Sequence, residues 1–325
     1  MPRADERAGG FHAQAFGIRL VFQDDLDLPG LSPPLLTADL AGAPTKVRHA
    51  PEEIEDLWAG AGSTRTRTRE ILDGERLLLS VDHDADRGYL LRLPGIGAAL
   101  ISPDGLDVRC APDADSADWQ SMLVGQVLPL AATVRGLEVF HAAGLVRDER
   151  AYLLCAAQGV GKTSLAAHLV AAGASLLSDD VVALDDRLIA HPGAAVLYVR
   201  DPELRNLGPG PVPGLKRLGT TRGRAMFAVE RPGRARPVGA IYFLERAGSG
   251  EPIEAVQCPT PIDLLGATFN LSVRTPARLA HHLELCGRLA ERVLTFRVRI
   301  VPGRGAADLA RTLTAHIDAL ETACV

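Results

Sequence analysis

AAQGVGKTSLAAHL, from Ala156 to Leu169, joins an apolar run to a helix-forming one through two glycines and a lysine. It follows the pattern G-x-x-x-x-G-K-[ST], whose backbone N–H groups cradle phosphates, except that Ala156 stands where the first glycine would. Gly159 and Gly161, with Val160 between them, free the backbone to curl. The helix starting near Lys162 adds the positive end of its dipole. On this reading Lys162 reaches the β and γ phosphates of ATP and the Thr163 hydroxyl is a ligand of Mg²⁺; Ser164 supplies a second hydroxyl close by. Alanine at 156 demands an ordinary backbone conformation there. The competing reading is a plain glycine turn between strand and helix, with Lys162 merely solvated.

Two further features bear on that choice. Asp179-Asp180 interrupts the apolar run SLLSDDVVAL, after the helix, where a carboxylate can address a magnesium ion. Adjacent acids can divide labour, one near the metal and one receiving a proton from an attacking hydroxyl; a solvated acidic turn is the alternative. His141 lies 21 positions before Lys162 at the head of its own apolar segment. Alone, it would be read as a structural histidine.

The rest of the chain sets the class. With 325 residues, 47% hydrophobic and 23% charged, it has the composition of a soluble globular protein with room for two domains. A net charge of −5 argues against a nucleic-acid-coating role. No run reaches the roughly 18 apolar residues of a membrane span. MPRADERAGG lacks the apolar stretch of a signal peptide and reads as a tail. The five scattered cysteines, with no C-x-x-C pair, suit reduced thiols and a cytoplasmic location.

FGIRLVF, RLLLSVD, GYLLRLP and AALISP are short extended runs between turns, and DLPGLSPP marks an irregular connection. A helix is expected from Trp119 to Arg135, and LEVFHAAGLVRDERAYLLC predicts two strands around the turn RDER. KTSLAAHLVAAG is helical and stops at Gly173. Residues 201–237, rich in Pro, Gly, Arg and Lys, read as loops; PVGAIYFLER and LTFRVRIV read as strands. Helices are expected over Thr275–Arg292 and from Ala306 to about Thr322. The chain thus divides into a tail (1–15), a mainly β N-terminal module (16–118), for which gripping the substrate by strand addition and completing an assembly are both open, and an α/β P-loop kinase domain (119–325).

FHAAGLV, GVGKTS and AAGASLLSDDVVAL together resemble the catalytic domain of HPr kinase/phosphorylase, the bacterial enzyme that phosphorylates a seryl hydroxyl of a carrier protein. PGLKRLG and ERPGRARPVGAIYFLE resemble later segments of that family more loosely. The whole chain is similar in flavour to the divergent HPr-kinase-related branch, some members of which phosphorylate a serine of a lasso peptide precursor. The resemblance implies an HPr-kinase-like P-loop fold. It makes Asp180 the base, sets Asp179 beside the metal with Thr163, and puts His141 and Lys162 in the active site. Arg217, or its neighbour Lys216, would be a cation near the transferring phosphoryl group. The family's metal-binding glutamate segment has no counterpart; LYVRDPELRNLGPG stands in its place, with Asp201 or Glu203 as substitutes.

The expected function is ATP- and Mg²⁺-dependent transfer of the γ-phosphoryl group to a serine of a peptide or protein. No nucleic-acid or membrane partner is expected, and a homo-oligomer is open. A kinase for free serine or another small alcohol would use the same residues. A non-catalytic ATP-binding regulator would need the loop and metal ligand but no base. No N-K-x-D guanine-reading motif is present.

Overall fold

Short extended runs bounded by glycine turns become strands in the first part of the chain. The computed structural model describes residues 11–23, 42–59, 64–113, 116–207, 212–230, 233–256, 259–269 and 271–323. Two units emerge: Met1–Leu137 with Leu271–Arg274, and Glu138–Asn270 with Thr275–Val325. The first holds β1 (Phe11–Ala15), β2 (Ile18–Phe22), β3 (Thr45–His49), α1 (Pro51–Ala59), β4 (Thr66–Asp73), β5 (Arg76–Asp84), β6 (Gly88–Leu93), β7 (Gly97–Ile101) and β8 (Asp107–Pro112). These strands form one eight-stranded sheet in the order β1-β2-β3-β8-β7-β6-β5-β4. The β2–β3 and β3–β8 pairs are parallel.

Two sequence expectations change here. Phe11–Ala15, assigned to the tail, is a strand, because Phe16 and Gly17 both take positive φ (53° and 78°) and fold it back onto β2. The helical stretch expected after 118 does form, as α2 (Ala117–Met122), a π-helical turn (Leu123–Val127) and α3 (Leu128–Val134). Leu128 N–H bonds Leu123 O, five residues back, just before Pro129, which has no N–H to continue the α pattern. That stretch belongs to the first unit, which moves the boundary from 118/119 to 137/138. Its contacts are the reason: Arg135 Nη1 donates to Thr45 Oγ1 (3.0 Å), and a Cβ on Gly97 would meet the Trp119 ring at 3.0 Å. Residues 1–10 of the expected tail and the DLPGLSPP connection lie outside the described residues.

The second unit is mixed α/β. It comprises β9 (Glu138–Phe140), β10 (Ala142–Arg147), β11 (Arg150–Cys155), α4 (Lys162–Ala171), β12 (Ser175–Ser178), β13 (Val182–Leu184), β14 (Ile189–His191), β15 (Val196–Arg200) and α5 (Asp201–Asn206). It continues with β16 (Leu215–Thr221), β17 (Arg224–Val229), β18 (Arg236–Arg246), β19 (Ile253–Ala255), α6 (Pro261–Leu265), α7 (Pro276–Arg292), β20 (Leu294–Ile300) and α8 (Ala306–Ala323). The turn RDER closes the β10–β11 hairpin with Asp148 and Glu149 both at positive φ (44° and 66°), the twist-matched geometry for a two-residue turn.

In the large sheet, ordered β12-β10-β11-β18-β14-β13-β9, β18 also pairs with β20, and β20 with β19. β11, β18 and β20 run parallel, so their carboxyl ends, Cys155, Arg246 and Ile300, share one sheet edge. β11 is buried on both faces. Tyr152 and Leu154 pack with α4 and α8, while Ala151, Leu153 and Cys155 pack with α7. Crevices beyond the carboxyl ends of such strands are where α/β sheets bind ligands.

Residues 201–237, expected as loops, instead supply α5 and two strands of a separate sheet ordered β15-β17-β16. The turn Thr221-Arg222-Gly223-Arg224 places Arg222 (φ 46°) and Gly223 (φ 72°) in the left-handed region, a hairpin turn without the usual Asn or Asp. The alternation Ala225, Phe227, Val229 on the core-facing side supplies the burial that holds the hairpin down.

Candidate functional site

Cys155 ends β11, and the chain turns through 156–161 before Lys162 opens α4. Gly159 (φ 81°) and Gly161 (φ 122°) both require positive φ. A Cβ at Gly159 would meet nothing, and one at Gly161 only Ile300 Cδ1 at 3.9 Å. Backbone conformation, not space, therefore selects glycine at both. Ala156 is not among the positive-φ residues, and its methyl packs with Val160 against the core below. The pattern's missing glycine is thus replaced by a small core side chain in an ordinary conformation. α4 ends in a glycine cap: Gly173 (φ 99°) donates to Val170 O and Ala174 N to Leu169 O.

The loop's lysine is buried, at 6% exposure, and two groups meet its ammonium. Asp180 Oδ1 lies 3.2 Å from Nζ and His141 Nε2 lies 3.1 Å from it. His141 Nδ1 is 3.0 Å from the Asp180 carbonyl oxygen. A carbonyl can only accept and an ammonium only donate. The imidazole therefore carries its proton on Nδ1 and offers its Nε2 lone pair to Lys162. His141, Lys162 and Asp180, 39 residues apart at the extremes, form one closed cluster.

The two acids do not interrupt a single strand. β12 ends at Ser178 on one flank of the sheet and β13 starts at Val182 in another place, so Asp179-Asp180 spans the crossing. Asp180 sits at φ 61°, and Val181 N donates back to Asp179 O at 2.7 Å, closing a tight three-residue turn. Such a turn is costly for a non-glycine residue and concentrates at functional sites. It splits the carboxylates. Asp180 is 37% exposed beside Lys162, whereas Asp179 is buried. Asp179 Oδ1 accepts from Thr163 Oγ1 (3.1 Å) and from the Asp180 N–H (3.0 Å), and Oδ2 from Tyr198 N (3.4 Å). Burial, reinforced by the Asp180 charge and opposed by Lys162, pushes the Asp179 carboxyl up to about 7.

Among the described residues no three His, Cys, Asp or Glu side chains converge as a ready-made metal cage. Mg²⁺ does not need one: it is held by one or two carboxylates together with substrate phosphates and water. The Thr163 hydroxyl bonded to Asp179, next to the glycine loop, is a hard-oxygen donor set of that kind. Glu203, in the first turn of α5, has a buried Oε2 with no hydrogen-bond partner among the described residues. α5 follows directly on β15, the strand whose Tyr198 reaches Asp179. Of the two acids offered as substitutes, Glu203 thus has a buried carboxylate oxygen, whereas Asp201 is exposed. Ser164 is buried at 8% exposure in the first turn of α4.

Arg217 is not brought to this cluster. It lies exposed on β16, two strands from the one that touches Asp179, and no hydrogen bond or ion pair joins it or Lys216 to the site among the described residues. The cation at the loop is instead Arg246, which sequence reading did not single out. It ends β18, and its Nη2 donates to Gly159 O at 3.1 Å. Only the parallel β11–β18 pairing, in which Cys155 faces Phe243, carries a residue so far along the chain onto the loop.

A second group missed in the sequence supports His141 from behind. Glu138, 1% exposed in β9, accepts from Arg278 Nη2 (2.7 Å) and from His282 Nδ1 (2.6 Å), both on α7. His282 Nε2 meets Thr268 Oγ1 at 2.7 Å. Thr268 bridges Phe140, and Ala267 O accepts from His141 N (2.6 Å). Arg278 and His282 occupy the stripe that continues through Leu285, Cys286 and Leu289, so polar residues on the apolar face of α7 were the available signal. Glu138→Ala removes the carboxylate from a buried guanidinium and is expected to cost about 3–5 kcal/mol in urea unfolding. Glu138→Leu combined with Arg278→Met should cost clearly less, because neither charge is left alone; equal losses would show that the pair does not matter. Burial pushes the thiols of Cys155 and Cys286 up to about 12, which makes them core residues rather than nucleophiles.

No family model and no curated protein matches the chain. In structure it is similar in part to the Hpr(Ser) kinase/phosphatase from Coxiella burnetii, at 12% sequence identity and a TM-score of 0.30, over 57% of this chain and 99% of that one. No helix among the described residues is long and apolar enough to cross a membrane.

Proposed function

We propose that the second unit is an ATP-dependent kinase that transfers the γ-phosphoryl group to a hydroxyl, with a serine of a peptide or protein as acceptor. The observation that carries this reading is the split pair of acids: Asp179 buried on the Thr163 hydroxyl, Asp180 half-open and bonded to the loop lysine. A site that only bound nucleotide would need the first and not the second.

The roles follow from the contacts. The loop N–H groups, the α4 N-terminus, Lys162 and Arg246 neutralise phosphate charge, which is most of what phosphoryl transfer asks of a protein. Thr163 and Asp179, with Glu203 in the first turn of α5, would hold Mg²⁺, which would supply positive charge against the phosphates. Asp180 accepts the proton of the attacking hydroxyl. As nucleotide draws Lys162 toward its phosphates, the Asp180 carboxylate loses its partner and becomes the freer base. His141, fixed as the Nδ1–H tautomer, holds the Asp180 backbone in its strained turn and keeps Nε2 facing Lys162.

The test is ADP release with ATP and Mg²⁺ in the presence of serine-containing peptides, with mass spectrometry of the peptides for added phosphate. Wild type is expected to phosphorylate and Lys162→Met to lose about 10²–10³ in rate, comparable to removal of one preorganised charge-stabilising donor. Tight ATP binding with no transfer to any peptide, protein or free serine would replace this reading with that of a nucleotide-binding regulator.

A further inference from the structure

The sheet β15-β17-β16 carries an unbalanced charge. Its strands contain Arg200, Lys216, Arg217 and Arg224 and not one Asp or Glu, and the turn between β16 and β17 adds Arg222. This is a local excess of one sign in a chain whose net charge is −5. None of the five cations has an ion pair with a carboxylate among the described residues. Arg200 and Arg224 are direct cross-strand partners, an arrangement of like charges that costs stability where nothing offsets it.

The same sheet has an open edge. β16 pairs only with β17 among the described residues, and Lys216, Arg217, Leu218 and Thr220 along it are exposed. Edge strands with basic side chains discourage pairing with neutral or basic strands. They leave one kind of strand welcome, an acidic one. We propose that β16 takes an extended acidic peptide segment by strand addition, with Lys216, Arg217 and the Arg222–Arg224 turn holding its carboxylates. A nucleic-acid strand fits less well: of the two aromatic rings on these strands Phe227 is buried, so no stacking platform accompanies the charge.

Resting on the kinase reading, this names the acceptor. Tyr198, whose N–H reaches Asp179, faces Met226 on β17, which faces Gly219 on β16. A strand added beyond β16 lies three strand spacings from β15, about 14 Å, or about four residues of extended chain. The acidic run should therefore begin about four residues or more from the serine that enters the site. Arg217 thereby becomes a recognition residue for the acceptor instead of a cation on the transferring group.

The experiment is fluorescence anisotropy without nucleotide, using a labelled peptide of about a dozen residues with one serine and glutamates beginning about four residues from it. The expected result is binding at least about tenfold tighter than that of the same peptide with glutamines, weakening as salt rises. Lys216→Glu with Arg217→Glu should abolish the difference, and N-methylation of alternate peptide amides should abolish binding. Both replaced residues are exposed, and an unchanged melting curve would confirm the variant's fold. Equal binding of the glutamine peptide, binding unaffected by charge reversal or by N-methylation, or equal binding of a single-stranded oligonucleotide of matched charge would each overturn the proposal. Because binding is read without ATP, a peptide that docks but is never phosphorylated sinks the kinase reading alone. One that is phosphorylated equally well with glutamines sinks the docking surface alone.

Discussion

Asp180→Asn should retain ATP binding within a few-fold and lose about 10²–10⁴ of the phosphoryl-transfer rate, the usual contribution of a positioned general base. The replacement is chosen for its backbone. Position 180 sits at φ 61° in a tight turn, and asparagine is one of the few residues that tolerates the left-handed region. Its amide oxygen can still accept the Lys162 hydrogen bond now made to Oδ1 at 3.2 Å, so the loop keeps its geometry. What disappears is the negative charge and the ability to take up a proton. The expected signature is a fall in kcat with little change in KM for ATP. A variant with wild-type kcat would remove Asp180 from the chemistry and leave it as a tether for the lysine.

Asp179→Asn should make the magnesium-free protein more stable at pH 8, by a few kcal/mol, while removing its response to Mg²⁺. Burial holds the Asp179 carboxyl at about 7 in the folded protein, against about 3.9 in an unfolded chain. Between these values the folded state binds a proton that the unfolded state does not. The stability this group contributes is therefore complete below about pH 4 and is lost as pH rises through 7. Urea midpoints in EDTA should fall for the wild type between pH 5 and 8 and stay flatter for Asp179→Asn. Adding Mg²⁺ with nucleotide at pH 8 should raise the wild-type midpoint, since a ligand of the ionised form offsets the cost of burying it. Identical pH profiles for the two proteins would mean that Asp179 is ionised and well solvated in the folded state.

Several features were legible before any coordinates, and they share a length scale. The loop, the helix after it, the Gly173 cap, the RDER hairpin and the capped start of α7 at Thr275 each depend on residues within a few positions of one another. Where the reading failed, the signal was either atypical or not local. Arg222-Gly223 turns a hairpin usually announced by Asn-Gly, so β16 and β17 passed for loop. The run around Asp179-Asp180 looked like one strand because both halves are apolar, yet its halves pair with different neighbours.

The sequence by itself determined that a glycine loop lies between a buried strand and a helix, because glycine conformations and apolar spacing act locally. It also supplied the acids and the histidine as candidates. Only the tertiary structure decided what they do to each other. It set Asp179 on the threonine and Asp180 on the lysine, replaced Arg217 by Arg246 at the loop, and backed His141 with Glu138, Arg278 and His282. Those contacts join residues from 16 to 144 positions apart, through parallel strand pairing and burial. Which side chains meet in such pairings depends on register and packing across the whole unit, and no local pattern encodes either.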